Sequence, residues 1–355
     1  MAKDIEKKSF KEIKMRIGIV SPSEIAFRRF MPALEKIENV EFAGVAIADL
    51  TEREGYEKNK ITAVIEKSHN KAKKFVELYG GKIYYSYREL INSKDIDAVY
   101  IPLPPALHYK WAKLALENNK HVLIEKPSTI SYLETYELVE LARKNKRALH
   151  ENYMFTFHNQ ITAIEKLLEA GTIGKIRLYR IYFGFPKRSS DDFRYNRELG
   201  GGALLDAGGY TIKYAKRILG DTAKIVYAQM NYEEDAEVDI YGSGAMVNDK
   251  GSVVQFAYGM DNSYKCELEV WGSKGCLNTG RILTAPDNFE PEIFIKIEND
   301  LQVKKVDADD AFKKSILYFM GCIEKESERD REYNEILTQA NLITEFRKKA
   351  QEDMV

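Results

Sequence analysis

The alternation of short, unbroken apolar runs with stretches of helical periodicity restricts the first half of this chain more than any other feature. Met15–Val20 (MRIGIV) ends at Ser21-Pro22-Ser23, and within Glu24–Glu38 the residues Ile25, Phe30, Met31, Leu34 and Ile37 recur at spacings near three and four. That pattern predicts a strand followed by a helix. Phe42–Ala48 reads as a second strand, and Ala98–Ile101 and His121–Ile124 as two more, flanking a helical His108–Asn118. Ser131–Asn145 is a further helix, opened by a capping box of Ser131 and Glu134. Ala148–His150 adds a last short strand. Runs this apolar have no polar face to offer water, so they belong in a parallel sheet layered between helices. Thr51–Lys67 breaks the rhythm. It is long and charged and reads as an exposed insertion, with the next helix starting near Ser68.

The second half has another texture. Lys175–Phe185 (KIRLYRIYFGF) is aromatic and β-branched, as strands of a large open sheet are. Strand-like runs follow at Lys224–Met230, Glu237–Tyr241, Ser252–Tyr258, Cys266–Trp271, Ile293–Ile297 and Gln302–Val306, with turn residues between several of them. Successive strands imply a mostly antiparallel sheet and an α+β domain. Tyr333–Ala350 closes the chain as an amphipathic helix. A length of 355 residues suits two domains, here 15–150 and 151–355.

Composition removes several functions. Lys and Arg number 54 against 55 Asp and Glu, a net charge of −1 that gives no field for nucleic acid or an anionic membrane. No apolar run approaches the ~18 residues of a membrane span, and the N-terminus lacks the apolar core of a secretory signal. Cys266, Cys276 and Cys322 are too far apart for a zinc site or a disulfide framework, and the five histidines show no ligand spacing. A soluble cytoplasmic protein without a metal is expected.

Four motifs carry chemistry. The turn after the first strand is where a dinucleotide fold places its glycines, and here Ser21, Ser23 and Ala26 take those places. Backbone N–H groups and two hydroxyls at a helix start still suit a pyrophosphate, although Pro22 donates nothing; an ordinary strand–helix turn reads the same way. Ile101-Pro102-Leu103-Pro104-Pro105 leaves a buried strand as a stiff extended loop able to pack on a ribose or nicotinamide, or to serve only as a connector. His108 follows it, as a ligand contact or a helix cap. Glu125-Lys126-Pro127 ends the strand His121–Ile124, which aims Lys126 into the ligand crevice. Desolvation there would lower its pKa toward the range useful for proton transfer, and Pro127 fixes the turn, with a cis bond as one option. Last, Gly200-Gly201-Gly202 precedes Asp206 and Tyr210, which share a helix face at a spacing of four. A carboxylate beside a phenol binds a sugar hydroxyl or moves a proton; a glycine hinge beside an interface tyrosine is the plainer alternative.

In this order and on these elements, the motifs resemble the glucose–fructose oxidoreductase/inositol dehydrogenase family of NAD(P)-dependent enzymes. The resemblance runs from about Met15 to the last helix. Glu125-Lys126-Pro127 is similar to the family's Glu-Lys-Pro motif, Glu151–Gln160 to its segment leading into the second domain, and Gly201–Tyr210 to its Asp-x-Gly-x-His/Tyr motif. The resemblance implies an α/β chain with an N-terminal Rossmann dinucleotide-binding domain. It also implies a C-terminal α+β domain whose large, mostly antiparallel open sheet is often used for oligomerisation, as a homodimer or homotetramer. Lys126 would contact both cofactor and substrate oxygen. Tyrosine at 210, in place of a common histidine, looks like the sugar-ketoreductase and dihydrodiol-dehydrogenase branches. Ile25-Ala26-Phe27-Arg28-Arg29 and Asp192-Phe193-Arg194-Tyr195 lean toward sugar-nucleotide 3-ketoreductases.

Three positions depart from the pattern. Ser21 replaces the first glycine, which bears on cofactor affinity. Lys213 stands where several sugar and inositol dehydrogenases have an aspartate. The insertion blurs the site that reads the adenosine ribose. If the family's Ser-Arg pair maps just before Lys71-Ala72, its arginine place falls on Lys67, beside Ser68, and a lysine there favours the 2′-phosphate of NADP. Glu66 and Asp49 are rivals in another register, which leaves NAD open.

The expected reaction is reduction of a keto sugar, with Lys126 and Tyr210 as catalytic donors and Asp206, Arg194 and Tyr153 binding the substrate. Lys187, Arg188 and Arg194 are candidates for a nucleotide diphosphate. The cofactor-binding set is Ser21, Ser23, Glu24, Ile25, Arg28, Lys67, Ser68, Pro102, Leu103, Pro104, His108, Glu125 and Lys126. A small-molecule sugar or sugar nucleotide is the expected partner. The alternatives are a dehydrogenase of free sugars, cyclitols or trans-dihydrodiols, and a dinucleotide-sensing regulator without turnover.

Overall fold

The computed structural model describes residues 14–52 and 61–352. The apolar runs form the expected first sheet: β1 (Met15–Val20), β2 (Val40–Ala46), β3 (Lys82–Tyr84), β4 (Ala98–Ile101), β5 (His121–Glu125) and β6 (Leu149–Asn152). All its pairings are parallel, in the order β3-β2-β1-β4-β5-β6. Strand order reverses at β1, so the loops after β1 and β4 part there and open a crevice at the carboxyl edge.

Helices cover both faces. A π-helical turn at Ala26–Phe30 runs into α1 (Met31–Leu34), and Phe30 stacks on Tyr100 of β4 with ring centroids 4.0 Å apart. α2 (Ile61–Tyr79) begins earlier than the expected Ser68, so the C-terminal part of the supposed insertion is helix; residues 53–60 lie outside the described residues. α3 (Tyr87–Asn92), α4 (Pro105–Glu117) and α5 (Tyr132–Lys144) follow. Ser131 caps α5 by accepting from the Glu134 N–H, as its sequence spacing predicts. α4 starts at Pro105, because a proline at a helix start loses no hydrogen bond. His108 is therefore inside the helix and not its cap.

After α6 (Asn159–Glu169) the chain builds the second sheet from β7 (Ile176–Gly184), β8 (Lys224–Asn231), β9 (Tyr241–Val247), β10 (Val253–Gly259), β11 (Lys265–Gly272), β12 (Gly275–Gly280), β13 (Glu292–Ile297) and β14 (Asp300–Lys305). The order is β14-β13-β12-β11-β7-β10-β9-β8, antiparallel except for the β7–β10 pair. A strand at Glu237–Tyr241 is not formed; only Tyr241 joins β9. Its backbone is used otherwise: Asp239 O accepts from the Ala203 N–H at 2.8 Å and its carboxylate from the Leu204 N–H at 2.7 Å.

α7 (Gly209–Leu219) packs on the inner face of this sheet, and α8 (Ala311–Glu324) and α9 (Glu326–Glu352) end the chain. A division at residue 150 does not hold for the cores. Phe312, Ile316 and Phe319 of α8 join the core on one face of the first sheet, and Tyr333 and Ile336 of α9 the core on the other. Farther along α9, Leu342, Ile343 and Phe346 enter the core of the second sheet. The last helix therefore staples the two sheets together.

Candidate active site

The crevice is built from strand ends. Ser21 follows β1 with φ of 92°, the left-handed region that favours glycine. Serine thus reproduces the turn that the missing glycine would form. Ser23 Oγ accepts from the Ala26 N–H at 3.2 Å and caps the helix start. The residues fit a dinucleotide: a left-handed turn, small side chains and a helix start, all at the reversal of strand order. Glu24 and Arg28 are exposed and lie 3.9 Å apart on the solvent face of that helix, and Ile25 packs partly into the core.

From β4 and β5 come the second and third motifs. Pro102 and Leu103 are buried and Pro104 is half-buried. His108 is buried beneath them, with Nδ1 2.8 Å from Pro127 O and Nε2 2.7 Å from Leu103 O. One ring thereby ties the loop after β4 to the loop after β5. Burial pushes this imidazole down to about 4, so the neutral ring donates to one of the two carbonyls. The Lys126–Pro127 bond is cis.

Lys126 does not stand bare in the crevice, as its sequence position suggests. Its Nζ donates to Asp206 Oδ1 at 2.7 Å and to Asp206 O at 2.9 Å, and lies 5.0 Å from the centroid of the Tyr210 ring. The other oxygen, Asp206 Oδ2, accepts from Arg194 Nε at 2.6 Å, and Arg194 also pairs with Asp192 at 3.1 Å. Burial alone would raise the Asp206 carboxyl, but the charges of Lys126 and Arg194 outweigh it and hold it well below the usual range. Arg194 is thus held by two carboxylates, through Nε and Nη1. Lys187 pairs with Asp261 at 3.2 Å, whereas the Arg188 guanidinium lies 5.2 Å from the Phe185 ring centroid and has no carboxylate partner among the described residues.

The glycines explain how Asp206 and Tyr210 reach this place. Gly200, with φ of 77°, lies where a Cβ would come within 2.7 Å of Ile130 and 2.9 Å of the Ala106 N. Only glycine lets the turn dock on the start of α4. A π-helical turn at Leu204–Gly208 then carries Asp206 into α7, whose first turn holds Tyr210. Tyr210 is buried among Tyr153, Phe155 and Phe183, with ring centroids 5.2, 5.7 and 5.3 Å away. Its hydroxyl makes no hydrogen bond among the described residues. Burial, then the charges of Glu125 and Asp206, push the phenol well above its ordinary value.

Tyr153 is not brought to the crevice surface. It is 1% exposed, lies behind Tyr210, and its hydroxyl accepts from Gln339 at 3.3 Å. Lys213 turns away toward α9 and pairs with Glu335 at 3.3 Å. Lys67 lies exposed well inside α2, beside Lys71 and Lys74, and Ser68 donates to Val64 O within the same helix. At the end of β2, Asp49 Oδ1 accepts from the Thr51 N–H and hydroxyl at 2.6 and 2.7 Å. Against the effect of its burial, these bonds hold Asp49 below its usual range.

From the sequence, Asp192 and Asn152 had no role beyond membership of quoted motifs, and Tyr100 was missed. Tyr100 and Asn152 donate to Glu125 Oε1 at 2.5 and 2.7 Å. The signal for Tyr100 was a single hydroxyl in an otherwise apolar strand.

The sequence matches an oxidoreductase family with an NAD-binding Rossmann fold over residues 39–153, and the GFO/IDH/MocA C-terminal domain over residues 161–278. It is 34% identical to dTDP-3,4-didehydro-2,6-dideoxy-alpha-D-glucose 3-reductase of Actinomadura kijaniata, over 94% of this chain and 95% of that one. It is 27% identical to D-xylose 1-dehydrogenase (NADP(+)) 2 of Haloferax volcanii, over 87% of this chain and 89% of that one. Among solved structures it is similar to KijD10, a 3-ketoreductase from Actinomadura kijaniata in complex with NADP and TDP-benzene, at a TM-score of 0.86 and 32% identity, covering 95% of this chain and 98% of that one. Variants of KijD10 with a tyrosine changed to phenylalanine and a lysine changed to alanine have the same fold. With both family domains matched in order and relatives aligned along nearly its whole length, this chain belongs to the Gfo/Idh/MocA family of oxidoreductases.

Proposed function

We propose that the chain is an NADPH-dependent 3-ketoreductase of a dTDP-linked keto sugar, with Lys126 and Tyr210 as its proton-donating pair. The observation that carries this is the convergence of Lys126, Asp206, Arg194 and Tyr210 on the carboxyl edge of the first sheet, from three separate stretches of sequence. The names of the relatives supply the sugar nucleotide, the carbon and the cofactor. In KijD10 the substituted lysine and tyrosine are separated by the same number of residues as Lys126 and Tyr210, which supports this pair.

Bound NADPH supplies the hydride to the carbonyl carbon. The chain's task is to stabilise and protonate the oxygen on which charge develops. Tyr210, kept protonated by its burial, donates one hydrogen bond, Lys126 donates another, and one of the two delivers the proton. Asp206, with both oxygens engaged, orients Lys126; Arg194 holds Asp206 in turn. Tyr153 backs the Tyr210 ring. His108 ties the loops of Leu103 and Lys126 together, beside the place where the cofactor would bind. Arg188, without a carboxylate partner among the described residues, remains the candidate for the diphosphate. Three free cysteines support a reducing, cytoplasmic setting. A homo-oligomer through the open sheet completes the reading.

The test begins with fluorescence titrations of NADPH and NADH, followed by the consumption of NADPH with a dTDP-linked 3-keto sugar. Tight NADPH binding and turnover are expected. Lys126→Met and Tyr210→Phe should each lower kcat by about 10²–10⁴ while NADPH still binds. Full activity of Lys126→Met would remove the assignment, and oxidation of free sugars with NADP in preference would replace the substrate.

A further inference from the structure

A chain of buried hydrogen bonds leaves the crevice at Glu125 and ends at Glu332 on α9. Glu125 Oε1 accepts from Asn152 Nδ2 at 2.7 Å, and Asn152 Oδ1 accepts from Ser315 Oγ at 2.8 Å. His150 Nε2 lies 2.8 Å from the same Ser315 Oγ, and His150 Nδ1 lies 2.8 Å from Glu332 Oε1. Ser315, Asn152 and His150 are each at most 1% exposed. Tyr100 closes the crevice end and the Glu151 N–H, 3.2 Å from Glu332 Oε1, the far end.

Donor and acceptor roles propagate along this row in one direction. A carboxylate at Glu125 accepts only, so Asn152 must turn its NH₂ toward it and its oxygen toward Ser315. Ser315 has a single proton and gives it to Asn152, so His150 must donate from Nε2. One proton then lies between His150 Nδ1 and Glu332. No step leaves room for a flipped amide without placing two acceptors or two donors face to face. In a dry interior each such mismatch costs the desolvation of a polar group. An amide does not pass protons along in this setting, so the row orients groups and does not conduct.

We infer that Ser315, His150 and Glu332 are positioning residues that act through Asn152 to hold Glu125 as an ionised acceptor beside Lys126. The inference deepens the ketoreductase reading, because it takes Lys126 as the group that meets the substrate. It also makes the docking of α8 and α9 a condition of an ordered crevice. Glu125 faces Tyr100 from β4, Asn152 from β6, the neighbouring Lys126, and Tyr210 from α7. His150 faces Glu332 from α9, with the charge of Lys213 from α7 reaching that carboxylate, and Tyr318 from α8 at 5.5 Å between centroids. Burial raises the Glu125 carboxyl, and the donors Tyr100 and Asn152 work against it.

The experiment is a cycle of Ser315→Ala and Glu125→Gln, alone and together, on the full chain. Thermal unfolding needs no substrate. Ser315→Ala is expected to lower Tm by about 2–4 °C in the native background. In the Glu125→Gln background the drop should be less than half of that, because no carboxylate there dictates the amide's direction. Where turnover is measured, the acid limb of kcat should move to higher pH in Ser315→Ala, since Glu125 then keeps its proton to a higher pH. Additive Tm shifts, or an acid limb that stays in place, would overturn the inference. A protein that shows the coupled Tm shifts but reduces no keto sugar would overturn the ketoreductase reading and leave the row of positioning residues standing.

Discussion

Ser21 holds a backbone conformation that costs an L residue roughly 1 kcal/mol or more, because its Cβ crowds the neighbouring carbonyl oxygen. Ser21→Gly is therefore expected to raise Tm by about 2 °C and to bind NADPH at least as tightly as the native chain. A fall in Tm would show that the serine hydroxyl contributes more than its dihedral costs. The turn was legible from the small residues around Pro22; its left-handed geometry was not, since serine does not ordinarily announce a positive φ. Glu151 presents the opposite case. It is 5% exposed, accepts from the Ser128 N–H at 2.8 Å, and its Oε2 has no hydrogen-bond partner among the described residues. Burial, opposed by the charge of Lys213, raises its carboxyl to about 7 from an ordinary 4.5. A carboxyl raised on folding favours the folded state while protonated, and that contribution is lost as pH rises from about 4.5 through about 7. Glu151→Gln should remove this loss. Its stability advantage over the native chain should grow across that window and then level off, at about 3 kcal/mol. A difference independent of pH would count against it.

Elements carry the second group of consequences. At Gly200 the glycine run brings its backbone close to the start of α4 and to Ile130. Gly200→Ala combines a left-handed φ with a Cβ 2.9 Å from the Ala106 N. It should destabilise by about 1–3 kcal/mol and shift Asp206 off Lys126, so that kcat falls with little change in NADPH affinity. Wild-type kcat in a folded Gly200→Ala protein would show that the turn does not position Asp206. The same loop explains the strand that was expected at Glu237–Tyr241. Its alternation was adequate, but Asp239 holds the N–H groups of Ala203 and Leu204, and a segment so engaged does not enter a ladder. Likewise α2 extends back to Ile61 through a stretch whose charge read as loop. Charge on a solvent-facing helix turn and charge in an exposed loop are the same signal in sequence.

At the scale of the molecule, the second sheet is covered on one face by α7 and α9 and exposes the other. On that outer face Trp271 is 58%, Leu301 61% and Val303 48% exposed, on strands whose register aligns Trp271 with Cys276, Lys296 with Leu301 and Phe294 with Val303. For the homo-oligomer proposed above, this face is the candidate interface. Trp271→Lys is expected to shift the sedimentation of the protein toward the monomer while leaving Tm of the protomer within about 1 °C. An unchanged oligomeric state would place the interface elsewhere. Local sequence was enough to read the parallel sheet, the open antiparallel sheet, the crevice at the carboxyl edge and Lys126, Asp206 and Tyr210 as candidates for it. Those features rest on local periodicity and on motifs carried by contiguous residues. Only the tertiary structure decided that Asp206 serves Lys126 and Arg194 together, that His108 bridges two loops, that Lys213 turns away, and that α9 closes both sheets. Most of these join residues far apart in the chain, and the energy that selects the partner comes from burial and hydrogen-bond geometry, which no local pattern encodes.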